Sequence, residues 1–131
     1  MPINFVPDRA QILMCDFTTG FMRPEMEKIR HCVVVSPRVR SGTSLIIPLS
    51  LEPPKIVQLW HYLIPREYPC MSVISDVWAK GDMLTHASWQ RLHRPKENHV
   101  EVRRILKPDH LIDLTKAMLH AVDCGCLAKI L

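Results

Sequence analysis

The sequence predicts an α+β, mainly β fold: a small, strongly curved barrel with one long C-terminal helix. Three observations carry this reading. Eleven prolines stand against four glycines in 131 residues, and proline interrupts helix interiors and central strands, so short elements joined by fixed turns are expected. Short apolar, β-branched runs recur between turn residues, the mark of strands. Near the C terminus alone, apolar residues repeat at the spacing of three and four that gives a helix one oily stripe.

Taken in order, residues 1–10 read as an extended arm and ILMCDF, from Ile12 to Phe17, as a first strand. The segment from Thr18 to Arg30 contains Gly20 and Pro24 and is long for a simple hairpin, which points to a loop that is either functional or mobile. CVVVS, from Cys32 to Ser36, is the plainest strand, and its β-branched run predicts burial on both faces. A basic loop with Gly42 leads to LIIPLS, from Leu45 to Ser50, where Pro48 requires a sheet edge or an irregularity. VQLWHYLI, from Val57 to Ile64, and VWAKGDML, from Val77 to Leu84, read as two further strands, the second weakened at Gly81. Ser88 to Leu92 suits a short helical turn, and Val100 to Leu106 a last strand. The long helix opens at Pro108, which suits a first helical position, with Asp109 at the positive end of the dipole. Its stripe is Leu111, Leu114, Met118 and Val122, and Gly125 is expected to stop it.

The length fits one domain over residues 1–131. Apolar residues at 47% and charged residues at 23% describe a folded chain and exclude a disordered one. A net charge of +4 favours a polyanionic partner. Five scattered cysteines without a Cys-x-x-Cys pair argue against a disulfide framework and against a zinc knuckle at Cys124 and Cys126, so reduced thiols in the cytoplasm are expected. The opening MPINFVPDRAQ lacks the apolar core of a signal peptide, and no stretch approaches the length of a membrane span.

Four blocks carry a family likeness. KIRHCVVVSP, from Lys28 to Pro37, resembles the basic residue, Arg-Pro pair and valine-rich strand of the MazF/PemK ribonuclease toxins. QILMCDF resembles that family's opening strand with its closing acid, here Asp16, and LIIPLS its strand ending in a hydroxyl, here Ser50. SDVWAKGDMLTHASWQRL, from Ser75 to Leu92, resembles the block that carries a cation, an acid and a later Arg-Leu, and is similar to a divergent PemK-like branch. The order and rough spacing of the four agree over about residues 8–122. His31 replaces the usual proline, Ser50 the commoner threonine, Lys80 an arginine, Met83 a glutamine and Ala10 a glycine.

The resemblance implies an SH3-like barrel of the MazF/PemK/CcdB type and a homodimer that cleaves single-stranded RNA without a metal or other cofactor. A cognate antitoxin with an acidic tail would restrain it. In that chemistry the ribose 2′-hydroxyl attacks its own phosphorus, and the protein must take a proton, return one and hold the extra charge. Arg30 is the candidate phosphate grip, because a guanidinium offers two parallel donors and keeps its charge. Ser50 is the candidate hydroxyl donor, and no Gly-x-Ser-x-Gly elbow makes it a hydrolase nucleophile. Asp82 is the candidate base, and Lys80, two residues away on the expected strand, shares its face as candidate acid or cation. Lys28, Arg38, Arg40, His61 and His86 are candidate RNA-binding residues, with Arg23 beside them and Trp60, Tyr62, Trp78 or Trp89 as stacking surfaces. Two rival functions share this sequence: a non-catalytic inhibitor of the CcdB kind, dependent on its terminal helix, and a degenerate relative that binds nucleic acid without cutting it.

Overall fold

The computed structural model describes residues 2–23, 28–71 and 74–131. The expected loop from Thr18 to Arg30 lies partly outside these residues, as does the end of the proline-rich segment that follows Ile64. Ten strands form in chain order: β1 (Gln11–Asp16), β2 (Ile29–Val34), β3 (Thr43–Ser50), β4 (His61–Ile64), β5 (Val77–Lys80), β6 (Thr85–Ser88), β7 (Leu92–His93), β8 (Lys96–Glu97), β9 (Val100–Glu101) and β10 (Arg104–Ile105). Two helices close the chain, α1 (Pro108–Ala121) and α2 (Gly125–Ala128), and 3-10 turns span Gly81–Met83 and Trp89–Arg91.

The main sheet is antiparallel and runs β10-β1-β2-β3-β5-β4, with β6 also paired to β3 and β7 to β1. β8 and β9 make a separate ribbon. The mainly β, α+β class therefore holds, but the barrel does not close: the path ends on β10 and β4, and no pairing joins them among the described residues.

β3 is the pivot. Its first half, Thr43–Ile46, pairs with β6, and its last two residues, Leu49 and Ser50, pair with β5. Pro48 falls at this change of partner, opposite Cys32 of β2. A residue without an N–H is tolerated where one neighbour ends and the next begins, so the irregularity lies inside the sheet and not at its edge.

Both faces of the sheet are buried. Ile12, Val33, Ile47, Leu49, Ile64, Val77 and Ala79 pack with Leu106 and Leu114 of the C-terminal region. Leu13, Cys15, Cys32, Val34 and Ile46 pack on the other face with Phe17, Ala87 and Leu92. Alternation along β1, β2 and β3 sorts these sets, as strand geometry requires. The valine run of β2 is thus buried on both sides, although the strand starts at Ile29, earlier than its valines indicate.

Several expectations shorten. Residues 57–60 are irregular and only His61–Ile64 pair, while the strand expected over Val77 to Leu84 ends at Lys80. Gly81 explains the second break. A Cβ there would lie 2.8 Å from the Trp60 carbonyl oxygen and 3.4 Å from the Ala117 backbone. The glycine N–H instead donates to that same oxygen at 2.9 Å, so the turn is pressed between β4's approach and α1.

α1 begins at Pro108, and its buried residues are His110, Leu114 and Ala117, with Leu111 and Met118 at their flank. Val122 is 54% exposed and leaves the expected stripe. The helix stops at Ala121, with Asp123 in the left-handed region at φ 60°. Gly125 opens α2 instead of stopping α1, and its missing Cβ makes room for the His120 ring, which a Cβ would approach to 2.3 Å. All five cysteines are free thiols, and no helix among the described residues is long and apolar enough to cross a membrane.

His31 sits on the face of Val33 and Leu49, and its Nε2–H donates to the Cys70 carbonyl at 2.7 Å. Burial lowers its pKa from the ordinary 6.5, against the opposing pull of that hydrogen bond. The unfolded chain therefore takes up this proton first as pH falls, so stability should drop with acidification from about pH 6.5. Urea unfolding of His31→Gln between pH 7 and 5 should show a shallower loss than the parent, and an identical slope would refute this assignment. Gly81→Ala should cost roughly 1–3 kcal/mol by overpacking, read as a lower urea midpoint with an unchanged slope.

Candidate functional site

Strand register decides which candidates meet. Cys15 lies opposite Arg30 across β1 and β2, and Ser50 opposite Trp78 across β3 and β5. The β2–β3 register ends at Cys32 and Pro48; Arg30 and Ser50 each lie two residues beyond it and so face the same side of their strands as that pair. On the far side, Trp78 pairs with Leu63 of β4. Cys15 and Arg30 on one side, and Ser50, Trp78 and Leu63 on the other, make up one row of side chains that is interrupted between Arg30 and Ser50, where β2 and β3 are no longer paired. Residues in such a row share a sheet face.

Arg30 and Ser50 also border one cleft of about 180 Å³, together with Ile29, His31, Leu49 and Leu51. The cleft lies where β2 begins and β3 ends, so three consecutive residues of each segment reach it. Met14, Met71 and Val77 complete its mainly apolar wall.

The polar groups of the row are short of partners. Ser50 is 6% exposed, and its Oγ accepts the Glu52 N–H at 3.1 Å, which leaves its own hydroxyl proton to donate. The Arg30 Nε and the Trp78 Nε1 are both buried without a hydrogen-bond acceptor. Cys15 offers Arg30 no counter-charge, because burial pushes its thiol up to about 12 and keeps it neutral. Among the described residues no carboxylate pairs with the Arg30 guanidinium, which suits the row to an anionic oxygen.

Lys80 lies one side-chain step along β5 from Trp78, on the same face and opposite His61. The His61 Nδ1 accepts the Gln58 N–H at 2.9 Å, so its neutral ring carries the proton on Nε2 and presents a donor. Lys28 immediately precedes β2 and is exposed beside the same end of the sheet.

Other candidates fall elsewhere. Asp82 is exposed in the 3-10 turn, so the expected sharing of one strand face with Lys80 fails. It lies outside the row and does not border the cleft. Arg38 and Arg40 lie in the loop that joins β2 to β3, at the opposite end of this hairpin from Arg30 and Ser50. Arg38 is also engaged, its Nε 3.2 Å from Asp8. His86 pairs with Leu45, five residues before Ser50, roughly 17 Å away along the strand. Its Nε2 is hydrogen-bonded to Thr43 Oγ1 at 2.9 Å. Trp89 donates to Ser44 Oγ at 3.0 Å and packs on the second core, and Tyr62 packs on the first, so neither is an open stacking surface.

The sequence reading cast His31 only as a departure from a motif and Trp78 only as a stacking ring. Both border the Arg30–Ser50 centre, and only the register of β2, β3 and β5 reveals it.

A family model of PemK-like, MazF-like toxins of type II toxin-antitoxin systems matches residues 8–119. YifN of Escherichia coli strain K12 is 26% identical over 148 aligned positions, covering 94% of this chain and 96% of that one. Among solved structures, MazF (Form-I) from Deinococcus radiodurans shares the fold at a TM-score of 0.71 and 16% identity, over 92% of this chain and 99% of that one. An endoribonuclease in complex with its cognate antitoxin, from a mycobacterial species, gives 0.61 at 15% identity, over 89% and 95%. The family match spans most of the sequence, and the chain belongs to the PemK-like, MazF-like toxins of type II toxin-antitoxin systems.

Proposed function

We propose that this chain is an endoribonuclease toxin that cleaves single-stranded RNA without a metal, with Arg30 and Ser50 at the reacting phosphate. The observation that carries this is that both border one cleft, where β2 begins and β3 ends. The 2′-oxygen attacks phosphorus, the bond from phosphorus to the 5′-oxygen breaks, and a cyclic phosphate and a 5′-hydroxyl result. The Arg30 guanidinium offsets the charge that grows on the phosphate oxygens, and the Ser50 hydroxyl donates to one of them. Lys80 stands on the same face as a second cation, able to protonate the departing oxygen. With Asp82 in an exposed turn away from the row, charge stabilisation takes precedence over a carboxylate base.

RNA would enter past Lys28 and lie over His61 and Lys80, whose N–H groups point the same way as the row. Arg38, Arg40 and His86 sit too far along β3 to touch the same phosphate in one chain and would at most hold more distant nucleotides. The reading extends to a single domain acting as a homodimer in the cytoplasm under an antitoxin. The solved mycobacterial relative in complex with its cognate antitoxin supports that partner. So do the exposed Leu51, Ile56, Val57 and Leu59 on the segment between β3 and β4, an apolar surface that a protein would cover.

Incubation with a long single-stranded RNA in EDTA, followed by mapping of the new ends, tests this. Arg30→Ala and Ser50→Ala should each slow cutting by about 10²-fold or more, as loss of one transition-state donor does, with unchanged melting temperatures. Asp82→Ala should stay within a few-fold of the parent. RNA binding without any new ends would favour the non-cleaving relative, and normal cutting by Arg30→Ala would remove the proposed centre.

A further inference from the structure

We infer that Trp78 is a third phosphate-binding donor, its indole N–H completing an anion site with Arg30 and Ser50. This inference rests on the endoribonuclease reading and deepens it by naming a binding residue that the family motif blocks do not single out.

Three features of the row support it. Trp78 is the direct strand partner of Ser50, and Arg30 borders the same cleft as Ser50. Ser50 is thus flanked by two side chains whose N–H groups are buried without acceptors. A buried, unpaired N–H costs free energy that an apolar side chain of similar size would avoid. Among the described residues only one further side chain, Gln11, shares that condition, and it lies in β1 outside the row. Two orphaned donors on either side of one hydroxyl are therefore a placement, not a scatter.

The contrast with the other tryptophan of known bonding sharpens the point. Trp89 satisfies its indole within the fold, on Ser44 Oγ at 3.0 Å. Trp78 has no such acceptor, and the neighbours in its row bring no carboxylate. An acceptor from outside the chain would satisfy this N–H, and beside a guanidinium the fitting class is an oxygen of a phosphodiester. An indole donates one hydrogen bond and accepts none, so it selects the anionic oxygens over the sugar hydroxyl hydrogens. Its role is binding and orientation of the phosphate, with no proton transferred.

The test uses the full chain and a single-stranded 2′-deoxy oligonucleotide that spans a mapped cut, which keeps the phosphodiester and lacks the attacking hydroxyl. Indole N–H resonances are followed by NMR during titration, with Trp78→Phe identifying the relevant signal. The Trp78 signal should move downfield and exchange more slowly at saturation, while the Trp89 signal stays in place. Trp78→Phe, which keeps the ring and loses the donor, should weaken oligonucleotide binding roughly tenfold, the loss typical of a hydrogen bond to a charged acceptor. Its melting temperature should not fall. A Trp78 signal that is unmoved by bound oligonucleotide overturns the donor role while RNA cutting stands. Failure of the parent chain to cut RNA at all overturns the endoribonuclease reading and this inference with it.

Discussion

The register of β2 against β3 is the constraint on which the site depends. It is held by side chains that point both ways: Val33 and Ile47 into the core beneath α1, and Cys32, Val34 and Ile46 into the opposite core. A slip of one residue would exchange every side chain between the faces. Arg30 would then take the place of His31 on the face of Val33 and Leu49, where His31 is already held largely neutral by burial. Burial of a guanidinium there without a carboxylate is the costly alternative that the native register avoids. The same valines that give the fold its stability therefore also aim the cation.

That placement comes with a local penalty. Arg30 and Trp78 keep buried N–H groups without acceptors, and the row contains no carboxylate. The ion pairs among the described residues lie elsewhere: Arg103 and Arg38 share Asp8, Arg104 grips Glu97, and Arg66 meets Asp76. These four arginines serve the surface or the chain's far end, and among the described residues Arg30 forms no ion pair although its Nε is buried. Where a fold leaves two such groups near one cleft, a ligand is expected to supply the missing partner.

The parts legible from sequence were those with local causes. The valine run, the Pro108 start of α1 and the short turn before Leu92 all arise from residue types acting within a few positions. Gly125 was misleading, because its reason is the His120 ring lodged against it and not a helix stop. Asp82 was misplaced for a similar cause: Gly81 is held against Trp60 and Ala117, contacts that lie about twenty and about thirty-six residues away in the chain, so the strand could not continue. Arg38, Arg40 and His86 looked like neighbours of Arg30 in a list of basic residues, but β3 is extended and carries them to its other end. Trp78 was visible only as an aromatic. Its role follows from facing Ser50, and pairing between strands separated by more than twenty residues leaves no mark in the sequence.

The open sheet adds a consequence for control of the site. β4 ends the sheet path, with Leu63 43% exposed and in the same row as Trp78 and Ser50. The apolar segment from Leu51 to Leu59 leads from Ser50 directly into that edge. An edge strand beside an apolar surface invites a second chain, either by strand addition or by side-chain packing. A closed barrel would have removed that edge. Under the toxin reading, a partner seated there need not imitate RNA to inhibit cleavage. Covering Leu63 and the approach to Lys80 would obstruct the row from its accessible side while leaving the register of β2 and β3 intact. Inhibition and catalysis would then be separable in this fold, because one uses the β4 edge and the other the strands beyond it.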